Sequence, residues 1–167
     1  MIRQVATALI ALAFGSLVVA QAPAPVPAPK VNEVQIAPGP AGNVNALPRT
    51  AAPAGAKVYI ISPKNGETVK SPFTVVFGLS GMGVAPAGMQ MENTGHHHLL
   101  IDTDIPANLG LPLPANDNIR HFGKGQTEAS ITLPPGKHTL QLVLGDHLHV
   151  PFLPVVSSPK ITVTVAP

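Results

Sequence analysis

Proline and glycine interrupt this chain so often that no apolar stretch beyond residue 57 can continue as an amphipathic helix. The 167 residues include 20 prolines and 15 glycines, and the apolar residues between them fall into short runs closed by turn chemistry. Six of these runs read as strands: 57–61, 73–79, 97–103, 127–133, 138–144 and 160–165. In the second, Phe73, Val75, Phe77 and Leu79 share one face by the period of two; in the fifth, Leu140, Leu142 and Leu144 do so with Gln141 opposite. Ser62-Pro63-Lys64-Asn65-Gly66 and Pro134-Pro135-Gly136 supply turns. Residues 104–120 carry Pro106, Pro112 and Pro114 without a usable period, and read as a long ordered loop or edge excursion. Six such strands predict an all-β domain over 57–167, an antiparallel immunoglobulin-like β-sandwich. With no tryptophan and no cysteine, its core is expected to be aliphatic, completed by Phe73, Phe77 and Tyr59.

The residues before 57 have a different character. Met1-Ile2-Arg3 and the apolar run from Val5 to Val19 predict a signal peptide over 1–20, shorter than the roughly 20 apolar residues a membrane span needs. Cleavage after Ala20 would start the mature chain at Gln21. Residues 21–56 are rich in alanine and proline, with Pro23, Pro25, Pro27 and Pro29 at alternate positions, which predicts an extended, disordered linker. The expected location is periplasmic or secreted, with no membrane span in the mature chain. Within 57–167 seven basic residues face seven acidic ones, so no basic face for nucleic acid is present. The absence of cysteine removes disulfides, thiolate metal ligands and cysteine nucleophiles together.

Chemistry concentrates in the histidines. Gly95-His96-His97-His98 runs into Leu99-Leu100-Ile101, so that His97, Leu99 and Ile101 face one way and His96, His98 and Leu100 the other. His121 opens a glycine-rich turn over 121–126, and His147 and His149 lie in the loop 145–151, at alternate positions that would put both rings on one side. In an immunoglobulin-like arrangement these three segments fall at one end of the sandwich. His96, His98, His121, His147 and His149 are therefore the candidate ligands for a transition metal, copper or zinc, because neutral imidazole is the commonest metal ligand. Met82, Met89 and Met91 would add soft donors suited to Cu(I), with loop packing as the alternative. Asp146 is an additional oxygen donor for zinc. A hydrogen-bonded structural role is the alternative for His97 and His121. Asp102 and Asp104 read as turn formers. His138 opens the strand 138–144 at the opposite end and is excluded.

Four stretches together carry a resemblance: Ser62-Pro63 with Asn65-Gly66-Glu67-Thr68-Val69; Gly95-His96-His97-His98-Leu99-Leu100-Ile101-Asp102; His121-Phe122-Gly123-Lys124-Gly125-Gln126-Thr127-Glu128; and Pro134-Pro135-Gly136-Lys137-His138 through Gly145-Asp146. Over about 57–165 the chain resembles a bacterial secreted family known as domain of unknown function number 4399. The resemblance implies a secreted β-rich domain and no activity. His138 lies inside the same motifs, which implies that part of the histidine pattern is structural. A weaker likeness is to periplasmic copper-resistance type β-sandwiches, which share the Ser-Pro-x-x-Gly-x-x-Val opening seen from Ser62 to Val69. Those commonly use a histidine at the mature N-terminus, where this chain has Gln21.

The reading that results is a non-catalytic secreted or periplasmic protein that binds copper or zinc through its histidine cluster. The alternative is a cell-envelope interaction module that captures a protein partner and uses the histidines as a structural network. No Gly-x-Ser-x-Gly elbow, His-Glu-x-x-His helix or phosphate loop is present, so an enzyme is not expected.

Overall fold

Each of the six apolar runs forms a strand in the computed structural model, which describes residues 46–167. They are β1 (Lys57–Ser62), β3 (Phe73–Ser80), β5 (Thr94–Ile101), β7 (Glu128–Ile131), β8 (Gly136–Gly145) and β9 (Ile161–Val165); between them lie the short strands β2 (Thr68–Val69), β4 (Gly83–Val84) and β6 (Ile119–His121). There is no helix among the described residues, and so none that could cross a membrane. The signal peptide and most of the predicted linker lie outside the described residues.

Two sheets face each other. One has the order β1-β3-β7, antiparallel throughout; the other has the order β2-β9-β8-β5-β4, with β6 also paired to β5. Val58, Phe73, Val75, Phe77 and Ile131 from the first sheet close on Leu99, Ile101, Leu140, Leu142, Leu144, Val163 and Val165 from the second. This is the period of two at work: the residues that alternate inward on each strand become one dry interior. Tyr59 is not part of that interior. It is 43% exposed and its ring covers Gly78, where an added Cβ would lie 2.2 Å from it. Phe122 and Phe152 provide the extra aromatic mass inside.

Like its neighbour β8 from Leu142 to Gly145, β5 is buried on both faces from Gly95 to Ile101. Its outward face is covered because Leu100 joins Leu113, Ile119 and Val143 in a second small core, against which Ile105 and Val155 pack. The loop 104–118 supplies two of these residues. Asn116 fastens its end, its side-chain oxygen accepting from the Asn118 and Ile119 amides at 2.9 and 2.8 Å, and the chain then enters β6.

Residues 46–56, expected as the end of the linker, are attached to the domain. Ala51 bridges Leu153, Ala52 and Ala56 pack on the main core, and the Leu47 amide donates to Gly110 O at 2.7 Å.

Candidate metal centre

The alternation along β5 sends His97 inward and His96 and His98 outward. All three are fully buried. His97 packs on Phe77, ring centroids 5.2 Å apart, and its Nδ1 lies 3.3 Å from Gln126 O; it takes no part in the outward cluster. His98 is directly opposite His121 in the β5–β6 pairing and opposite Val143 in the β5–β8 pairing, while His96 is opposite Gly145. Residues paired across an antiparallel ladder share a face, so the register alone places His121 beside His98. Their rings stack, with centroids 5.1 Å apart and planes 28° from parallel.

His149 arrives from the turn after β8. Asp146 builds that turn: its Oδ1 accepts from the Leu148 and Val150 amides at 2.9 and 3.0 Å, and its backbone oxygen accepts from the His149 amide at 2.9 Å. This is the local self-bonding for which aspartate is favoured in turns. His149 takes the left-handed conformation, φ 67°, and its Nδ1 comes to 3.1 Å from His96 Nε2.

The outcome is a four-histidine cluster, His96, His98, His121 and His149, with one ring nitrogen from each lying within 4.8 Å of all the others. Zn–N bonds of about 2.0–2.1 Å put tetrahedral nitrogens about 3.4 Å apart, so an inward shift of up to about 0.9 Å per donor would bring them onto one ion. His147 is not a member. The segment 147–149 is a turn with a left-handed residue rather than a strand, so the period of two that would align His147 with His149 does not operate. The backbone oxygen of His147 instead accepts from Gly88 at 2.9 Å. Asp146 lends both carboxylate oxygens to neighbouring donors and supports the site rather than joining the cluster. Met82 packs on the main core, and Met89 and Met91 are exposed.

Two glycines make the space. A Cβ on Gly145 would stand 2.8 Å from His98 Cε1, and one on Gly123 would stand 2.3 Å from His121 Cε1. Sequence reading missed both, although Gly123 lies in the glycine-rich turn that follows His121 and Gly145 ends β8 two residues before His147.

The electrostatics favour uncharged rings. Burial lowers the His96 pKa to about 4, assisted by His121 and His149 and opposed by the nearby Asp146 carboxylate. Burial, reinforced by the same crowding of imidazoles, lowers His98 to about 2. His121 is also lowered, by burial first and His149 second. Neutral imidazole carries one donor and one lone pair, yet His96 Nδ1, both nitrogens of His98 and His121 Nε2 are buried without a partner. Each such group costs about 1–3 kcal/mol. His96 and His98 form the closed side of the cluster, while half-buried His121 and His149 form its open side.

At the far end of β8, His138 does something else. Its Nδ1 donates to Asp102 Oδ2 at 2.6 Å and its Nε2 to Pro134 O at 2.9 Å, while Asp102 Oδ1 accepts from the Thr139 amide at 2.7 Å. This is a structural clasp, remote from the cluster in register.

A protein-family model matches residues 75–166, more than half of the chain. The chain belongs to the family described as Domain of unknown function (DUF4399). The DUF4399 match contains every member of the histidine cluster and both space-making glycines, and leaves β1 and β2 outside. No curated protein and no solved structure matches the chain.

Proposed function

We propose that this DUF4399 domain is a non-catalytic transition-metal-binding module, periplasmic or secreted, which holds one copper or zinc ion on His96, His98, His121 and His149. The observation that carries the reading is the set of four convergent imidazoles, three of which, His96, His98 and His121, hold a buried ring nitrogen without a partner. Without an ion those nitrogens are a cost of several kcal/mol; with one, the lone pairs have an acceptor. Burial also favours the neutral rings of His96, His98 and His121, the form that binds metal. A donor set made only of imidazole suits copper and zinc and does not suit calcium or magnesium, which take oxygen. Between the two, the usual affinity order favours Cu(II). The strand order β1-β3-β7 against β9-β8-β5 supports an immunoglobulin-like arrangement for the scaffold.

The His96–His149 contact of 3.1 Å favours a second reading, an envelope interaction module with a hydrogen-bonded histidine network. One such contact among four rings satisfies too few nitrogens to make that reading the stronger. Elemental analysis and calorimetry with Cu(I), Cu(II) and Zn(II) separate them. The metal reading expects one ion per chain, lost in His98→Ala and His149→Ala and kept in His147→Ala; no uptake at micromolar metal would leave the interaction module.

A further inference from the structure

We propose that residues 47–53 are a strap that positions His149, and that metal binding and strap docking reinforce each other; this rests on the metal reading above. The strap lies N-terminal to the residues matched by the family model, yet it is fastened along the segment that carries His149. The Arg49 guanidinium donates to Pro151 O at 3.0 Å and also to Phe152 O. Thr50 O accepts from the Leu153 amide at 2.9 Å and the Ala52 amide donates to Leu153 O at 2.8 Å. The most consequential contact is Thr50 Oγ1 to Asp146 Oδ2, 2.7 Å.

Asp146 is only 2% exposed, and its other oxygen holds the Leu148 and Val150 amides on either side of His149. The strap therefore grips the residue on which the turn is built. A non-glycine residue at φ 67° is in a sparsely favoured region and stays there only when its surroundings hold it. Groups that orient a metal ligand from outside influence affinity nearly as much as the ligands do, commonly by 10–100-fold. Thr50 and Arg49 are thus positioning residues for the cluster. By linkage, whatever factor docking contributes to metal affinity, metal returns to docking.

The test uses the full chain. Zinc(II) affinity is measured by chelator competition for wild type, Thr50→Val, Thr50→Ser and Arg49→Met. Hydrogen exchange at the Ala52 and Leu153 amides is measured in wild type with and without zinc, which keeps the test independent of how well the variants fold. The expected result is affinity roughly 10–100-fold weaker in Thr50→Val and Arg49→Met, restored in Thr50→Ser, with slower exchange at both amides when zinc is bound. Wild type that binds zinc, with variants equally tight and exchange unchanged, overturns the strap and leaves the metal centre standing. Wild type that binds neither zinc nor copper removes both.

Discussion

His98 has no protein hydrogen-bond partner for either ring nitrogen, and it is fully buried. A structural histidine is worth keeping only if its nitrogens are satisfied, so its replacement by an apolar residue separates stability from binding. In the presence of a chelator, His98→Leu is expected to unfold at higher urea than wild type, by about 1 kcal/mol, because a desolvated polar ring is removed. It is expected to lose metal binding at the same time. If the ring were a network residue, the same variant would lose about 1–3 kcal/mol instead, and urea denaturation distinguishes the two signs. Gly145 tests the space rather than the ligand. In Gly145→Ala the new methyl would meet His98 Cε1 at 2.8 Å and Nδ1 at 3.2 Å. Backbone and ring must both move, so the variant is expected to lose about 1–3 kcal/mol of stability and to bind metal at least tenfold more weakly.

At the scale of strands, the cluster depends on β6, and β6 depends on the turn before it. Asn116 accepts two backbone amides there, and the Asn118 side chain donates to Ile101 O at 2.9 Å. Asn116→Ala is expected to cost about 1 kcal/mol and to weaken metal binding by releasing His121 from its position opposite His98, with faster hydrogen exchange at the β5–β6 amides as the direct readout. These same elements mark how far sequence could go. The alternation of His96, Leu99, Leu100 and Ile101 gave the correct faces of β5, and the six long strands were legible because apolar periodicity and turn residues agree there. β6 was not: three residues inside a proline-rich loop offer no period, and only tertiary pairing makes them a strand. Convergence of the 96–98, 121 and 149 segments was anticipated from loops meeting at one end. Ladder register brings only His121 beside His98; His149 comes from the turn that Asp146 builds, and the left-handed residue in that turn leaves His147 out. The docked segment 46–56 was hidden by its alanine and proline composition, since its attachment runs through backbone groups and Arg49 rather than an apolar pattern.

For the whole domain, the two groups of histidines act on stability in opposite pH ranges. His96 at about 4 and His98 at about 2 titrate below the ordinary histidine value near 6.5, with His97 and His121 lowered in the same direction. Between 6.5 and those values the unfolded chain binds protons that the folded chain does not, so metal-free stability falls as pH drops through this range. His138 is raised, chiefly by its bond to Asp102. Its contribution is complete below about 6.5 and is lost as pH rises through the raised value. Metal-free protein should therefore be most stable near neutrality. His98→Leu should lessen the slope on the acid side, where His96, His97 and His121 still contribute, and His138→Gln should flatten the alkaline side. Metal acts on the same balance. At about a thousand times its dissociation constant it adds roughly 4 kcal/mol, which for a domain of this size is on the order of 10–20 °C in Tm at pH 7. Thermal unfolding from pH 4 to 9, with chelator and with zinc, measures all of this. A metal-free profile that stayed level from pH 6.5 down to 4 would contradict the buried, neutral rings on which the site is built.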